Sequence, residues 1–390
     1  LAASACLPTP LSPGRRLIGS DPVHHRAIVF TFEAPMSLSD PCLQTFELPG
    51  LRLRAAVQGS GPLVILCHGF PEGWRSWRPQ LTALAAGGYR AVAPDLRGYG
   101  GTDTPAGPEQ TTMLHHVGDL VALVKAPGET QAVLVGHDWG APTVWYAAMM
   151  RPDLFRAVVG LSVPYVPPSP IDLLSAYERQ GVHRFYMQYF QTPGVAEAEL
   201  EADPEASLRR LTWSLSGDGP GRVVAGVLPP GHGFLDMTEL PPTDPARRPP
   251  WWHEADLLAT AQDFRRTGFT GALNWYRAIR RNAELLAPWY GARIHQPSLF
   301  IVGERDDLLA FPGVRERLPD LQRVLPGLRG QHVLMGAART CGRSQPAAAE
   351  LSGWLAMRPR HGPGHGGGAA QACWRRPKTE PLLRVVPTQN

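Results

Sequence analysis

Three short stretches carry residues able to do chemistry. Gly136–His137–Asp138–Trp139–Gly140 follows an apolar run and precedes a helical pattern. Small residues on both sides let a strand turn sharply into a helix and thrust the middle side chain outward. This is a nucleophile-elbow pattern with Asp at the reactive position. A carboxylate presented there could attack an electrophilic carbon, and the helix start behind it favours negative charge. His68–Gly69–Phe70–Pro71 closes an earlier strand, where a loop N–H can hold an oxyanion. The second donor comes from the residue after the nucleophile position, here Trp139. Gly303–Glu304–Arg305–Asp306–Asp307 closes a later strand, where an acid would orient a histidine. Asp306 and Asp307 are adjacent, and the pattern does not choose between them. Each stretch alone is readable as a plain turn or a solvated loop acid; their order along the chain joins them.

These residues need a scaffold, and the spacing of apolar residues supplies one. Thr45–Leu48 and Leu51–Ala55 alternate like a hairpin. Leu63–Cys67, Arg90–Ala93, Gln131–Val135 and Ala157–Leu161 read as short strands. Helical spacing over 76–86, over Leu114, Val117, Leu120, Val121 and Val124, and over Thr143–Met150 falls between them. Unbroken apolar strands alternating with helices predict a parallel sheet covered on both faces. Residues 165–290 lack such strands and are rich in Tyr, Trp and Phe. Strands resume at Ser298–Val302 and His332–Met335. An insertion of helices over the strand ends is the simplest account. The expected layout is a core at 36–164, a helical cap at 165–290 and a second core part at 291–357. Residues 1–35 read as an upstream extension, with a natural start near Met36, and the Gly/Pro-rich 358–390 as a disordered tail.

Bulk properties exclude several classes. The 390-residue chain is 43% hydrophobic, ample for a large core. Its net charge of +4 is scattered, with no basic run interleaved with aromatics, which argues against nucleic acid. No apolar run is long enough to span a bilayer. Five cysteines, Cys6, Cys42, Cys67, Cys341 and Cys373, are odd in number and lack C-x-x-C spacing. That argues against a disulfide framework or a structural zinc and for a reducing cytoplasm.

Taken together, residues 45–335 resemble the soluble epoxide hydrolases of the α/β-hydrolase superfamily. The likeness rests on His68–Gly69–Phe70–Pro71–Glu72 with Trp74 and Ser76–Trp77, and on Asp95–Leu96–Arg97–Gly98–Tyr99–Gly100. It continues through the Asp138 elbow, Tyr186–Met187–Gln188–Tyr189–Phe190–Gln191, Pro193–Gly194–Val195–Ala196–Glu197 and Asn274–Trp275–Tyr276–Arg277. The resemblance implies the α/β-hydrolase fold, a mostly parallel sheet with helices on both faces and an inserted helical cap. It also implies a small apolar epoxide and water as reactants, with no metal or organic cofactor. Asp138 would be the nucleophile, and Tyr186 with Tyr276 the phenols that protonate the opening oxygen. Phe70 and Trp139 would form the oxyanion hole, and Asp306 would orient the histidine. Tyr189 and Trp275 are expected to pack in the core. Oligomeric state, the particular epoxide and its enantiomer are not legible.

One part of the pattern breaks. The family places a histidine in the loop after the last strand, but Gly336–Ala337–Ala338–Arg339–Thr340 stands there. Arg stays protonated and cannot act as a base. His332 is expected at the wrong end of its strand, and His361 and His365 in the tail. Likeness ends abruptly after Met335, which suggests a frame shift in the coding sequence near 336–340. Ala347–Trp354 is a short candidate for the closing helix. Rival readings are a haloalkane or haloacid dehalogenase, which also uses an elbow Asp, and a catalytically impaired relative. The tyrosine pair favours the epoxide over a halide.

Overall fold

The fold is taken from a computed structural model that describes residues 40–219, 227–311 and 313–334. The expectations for 1–35 and Met36, for the loop carrying Arg339, for Ala347–Trp354 and for the 358–390 tail lie outside the described residues.

The chain opens with the antiparallel hairpin β1 (Cys42–Leu48) and β2 (Leu51–Gln58), turned at Gly50 with its φ of 72°. Strands β3 (Leu63–Cys67), β4 (Arg90–Pro94), β5 (Ala132–His137) and β6 (Phe155–Leu161) follow, separated by α1 (Arg78–Ala86), α2 (Met113–Lys125) and α3 (Gly140–Met150). Helices α4 (Leu173–Arg179), α5 (Tyr186–Tyr189), α6 (Val195–Glu201), α7 (Pro204–Ser214), α8 (Glu254–Thr267), α9 (Thr270–Arg277) and α10 (Ile279–Leu285) intervene before β7 (Ser298–Gly303) and β8 (Leu328–Leu334). All eight strands form one sheet in the order β1-β2-β4-β3-β5-β6-β7-β8. Pairing is parallel from β4 to β8 and antiparallel at β1–β2 and β2–β4. This is the mostly parallel α/β-hydrolase sheet that the sequence predicts.

Burial explains why the central strands are apolar at every position. Leu63, Ile65 and Cys67 of β3 join α2 and α3 in one cluster, while Val64 and Leu66 pack with Trp77, Leu81 and Leu84 on the other side. Alternate side chains point to opposite faces, so a strand covered on both sides needs an unbroken run.

Two local expectations change. The buried face of α2 runs through Met113, His116, Val117, Leu120, Leu123 and Val124, whereas Leu114 is exposed. The stripe is rotated because His116 belongs to it, stacked on Trp275 at 3.6 Å between ring centroids. The last strand begins at Leu328, and His332 pairs with Ile301 near its far end rather than opening it. This strand is only half-buried and follows β7 at the end of the strand order, so its first residues carry no apolar signal.

Candidate active site

Asp138 stands between the end of β5 and the start of α3 with φ of 51°, a left-handed conformation unusual for a non-glycine residue. Such a conformation costs on the order of 1–3 kcal/mol and persists only where neighbours impose it. Here they do. A Cβ on Gly136 would lie 2.2 Å from the Gly140 carbonyl oxygen, and one on Gly140 2.1 Å from that of Cys67. Only glycine permits β3, β5 and α3 to approach so closely. The Asp138 side chain is buried, and its Oδ1 accepts a 2.7 Å hydrogen bond from the Phe70 backbone N–H.

The loop after β3 that supplies this donor is itself braced. His68 is fully buried; its Nε2 accepts from the Leu96 N–H at 3.0 Å, so its Nδ1 carries the proton and donates to the Gly69 carbonyl at 2.9 Å. Burial holds its pKa below the ordinary value, in keeping with a neutral ring. Glu72 accepts from the His137 ring at 3.2 Å and from the Gly69 N–H at 3.4 Å, tying this loop to the elbow. Asp95 accepts from the Trp74 N–H at 3.1 Å, the Gly101 N–H at 3.0 Å and Arg54 Nε at 2.8 Å, and so pins the next loop.

Asp306 lies three residues beyond β7 and is buried. Its Oδ2 accepts from the Ser162 hydroxyl, just past β6, and its Oδ1 from the Leu308 N–H at 3.0 Å. Burial pushes its carboxyl up to about 6, against the Ser162 and Leu308 donors that favour the charged form; Asp307 adds to the rise. Asp307 is buried as well.

Helices α5 and α9 bring Tyr186 and Tyr276 together, their ring centroids 5.9 Å apart and both rings 1% exposed. The Tyr276 ring meets Phe70 edge-on at 5.5 Å and Trp139 at 5.1 Å. Those are the residues whose backbone flanks Asp138, so the helical segment and the elbow share one aromatic cluster. A buried ion pair, Arg277–Glu197 at 2.7 Å, and the Gln191 amide donating to the Tyr276 carbonyl at 3.1 Å hold α9 against α6 and α5. Burial raises the pKa of both phenols well above the ordinary value, so each stays protonated at neutral pH. Among the described residues the Tyr186 hydroxyl has no acceptor in hydrogen-bonding geometry, although the Tyr276 phenol lies close enough to bear on its acidity. A buried unpaired hydroxyl costs about 1–3 kcal/mol, so a ligand oxygen arriving there would be favoured.

Comparison with known proteins decides the family. Residues 62–214 match the alpha/beta hydrolase fold family. Epoxide hydrolase 3 of Siraitia grosvenorii is 44% identical over 70% of this chain and 83% of its own length. Epoxide hydrolase A of Mycobacterium tuberculosis is 43% identical, covering 70% and 84%. The chain belongs to the epoxide hydrolases. A solved epoxide hydrolase from an endophytic Streptomyces superposes with a TM-score of 0.76 at 42% identity, over 81% of this chain and 95% of that one.

Within this epoxide hydrolase, the structure groups Asp138 with Phe70, and Tyr186 with Tyr276 against Phe70 and Trp139. Asp306 is grouped with Ser162. Tyr189, expected in the core, is half-buried and donates to Glu199 at 3.0 Å. Tyr186, three residues earlier on the same single turn, is fully buried. Sequence reasoning missed Ser162 and the Glu72–His137 contact. Ser162 had one signal, a polar residue directly after an apolar parallel strand. Among the described residues no group of three or more His, Cys, Asp or Glu is placed to hold a metal ion, and no helix is long and apolar enough to cross a membrane.

Proposed function

We propose that Asp138 attacks a ring carbon of a small apolar epoxide while Tyr186 and Tyr276 donate to the ring oxygen. The carbon–oxygen bond breaks with its electron pair on oxygen, a phenol proton goes to that oxygen, and an ester joins Asp138 to the hydroxyalkyl group. The single observation that carries this reading is the shared cluster of the two buried phenols with Phe70 and Trp139 around a buried carboxylate. The Phe70 N–H holds Oδ1 in place, and in this scheme the other carboxylate oxygen makes the attack. Oδ1 then becomes the ester carbonyl oxygen. When water adds to that carbonyl, Phe70 and Trp139 N–H stabilise the oxyanion. Collapse releases the vicinal diol and restores the carboxylate, and the proton freed by ester hydrolysis returns to the phenolate. No step needs a metal or organic cofactor.

Water activation falls to a histidine oriented by Asp306 in this scheme, and the sequence has Arg339 where the family resemblance calls for one. The chain as written therefore forms the ester faster than it clears it. We assign residues 36–164 and 291–357 to the catalytic core and 165–290 to a cap, supported by the helices between β6 and β7. Free thiols at Cys42 and Cys67 suit a reducing cytoplasm.

Mass spectrometry of the protein after exposure to styrene oxide tests this. The expected result is a burst of one equivalent with an adduct on the Asp138 peptide, absent in Asp138→Ala. Tyr276→Phe and Tyr186→Phe should each slow adduct formation by about 10²-fold or more. Arg339→His should convert the burst into steady diol release. No adduct on Asp138, or halide release from haloalkanes in place of epoxide opening, would overturn the assignment.

A further inference from the structure

Trp275 is buried in the core as expected, and its indole meets side chains of the 95–100 loop, of α2 and of the elbow. His116 of α2 stacks on its face at 3.6 Å with 24° between planes. Tyr99 and Trp139 meet it edge-on, each at 5.9 Å. Its Nε1–H donates to the Arg97 carbonyl at 3.0 Å. That carbonyl is anchored in turn, because the Arg97 guanidinium is paired with Asp119 through bonds of 2.8 and 2.6 Å, all buried. The first turn of α9 is seated by a separate contact. A Cβ on Gly271 would lie 2.6 Å from the Gly98 carbonyl oxygen, and one on Gly98 2.9 Å from Gly271. Backbone meets backbone there, which only glycine allows.

The residue after Trp275 is Tyr276. Both side chains touch Trp139, the residue that follows the nucleophile. Among the described residues the aromatic contacts of Tyr186 are Phe185, Phe190, Phe234 and Tyr276, all from the helical segment. The position of the phenol pair relative to Asp138 thus passes through α9.

We infer that Trp275, clamped by His116 and the Arg97 carbonyl, is a positioning residue that sets the Tyr276 hydroxyl at its distance from the elbow. The inference rests on the reading of Tyr276 as a proton donor. A turn of about 10° around the axis of α9 carries a phenol oxygen on the order of 1 Å, and a misplacement of about 1 Å costs roughly 10²-fold in rate. Burial, with Arg97 and His115 adding to it, keeps His116 neutral, so the stack is one of two uncharged rings and an aromatic side chain can replace the imidazole.

The test is a double-mutant cycle read by single-turnover ester formation at Asp138 with styrene oxide, on the full chain. His116→Ala is expected to slow ester formation about tenfold or more with little change in the half-saturating epoxide concentration, and His116→Phe to restore it. In a Tyr276→Phe background the same His116→Ala change should have almost no further effect, since the hydroxyl it positions is gone. Equal losses in both backgrounds would mean a merely structural role and overturn the inference, as would an unchanged rate in His116→Ala. If His116→Ala does not fold, Trp275→Phe carries the same cycle, losing the bond to Arg97 while keeping a ring on His116. Wild type that forms no ester refutes the proposed chemistry instead, so the two failures are distinct.

Discussion

At the scale of single residues, chemistry depends on how burial sets protonation. The Asp306 carboxyl, raised by burial from 3.8 to about 6, shows the sign. Between those values the folded protein holds a proton that the unfolded chain has released. Its contribution to stability is therefore full below about pH 4 and is lost as pH rises through 6. Asp306→Asn should abolish this dependence. Wild-type melting temperature relative to the variant is expected to fall from pH 4 to pH 7, and a constant difference would contradict the buried carboxyl. Its proposed partnership with a histidine needs the charged form, so in an Arg339→His chain ester hydrolysis should rise over the same range. The adjacency of Asp306 and Asp307 hid which acid meets the hydroxyl beside β6, since both are acidic and both are buried. The Ser162 hydroxyl distinguishes them, and it comes from another strand end.

Elements place these residues to within fractions of an ångström, and the glycines were the legible part. Their spacing around Asp138 predicts a sharp strand-to-helix turn, and close backbone approach is the physical reason. Gly69 belongs to the same device: a Cβ there would sit 2.2 Å from Asp138 Cβ and 2.3 Å from Oδ1. Gly69→Ala is expected to displace Asp138, the proposed nucleophile, cutting ester formation by about 10²-fold and destabilising the fold by about 1–3 kcal/mol. Stopped-flow ester formation and urea unfolding check the two halves, and an alanine variant with native rates would show the loop to be compliant. The face of α2 was less legible. Periodicity counts His116 as polar, whereas a neutral imidazole stacked on indole behaves as part of the core.

Across the molecule, α8 is joined by charge to β2 and to the start of α1. Asp263 pairs with Arg75 at 2.8 Å, and with Arg54 and Arg266 at 3.2 Å each, while Asp256 pairs with Arg78 at 2.9 Å. Burial would raise the Asp263 carboxyl, but the three arginines outweigh it and hold the pKa below the ordinary value. A depressed carboxyl contributes stability above its unfolded pKa and loses it as pH falls through the folded one. Asp263→Asn should cost about 1–2 kcal/mol at pH 7, less than a fully buried pair because these groups keep some solvent. The difference in urea midpoint between the two proteins should shrink toward pH 3; a difference independent of pH would point to packing alone.

The sequence by itself determined the alternation of strands and helices, the elbow that carries Asp138 and the chain order of the reactive loops. Those follow from rules that act over a few residues: side-chain period, glycine at tight approaches, polar residues after apolar strands. Tertiary structure alone decided that Ser162 holds Asp306 from 144 positions away, that Glu72 braces His137, and that Trp275 is clamped between His116 and Arg97. Such contacts depend on which strands become neighbours in the order β1-β2-β4-β3-β5-β6-β7-β8. A one-dimensional pattern of apolar and polar residues is the same for many strand orders, so only the assembled sheet brings those side chains within reach.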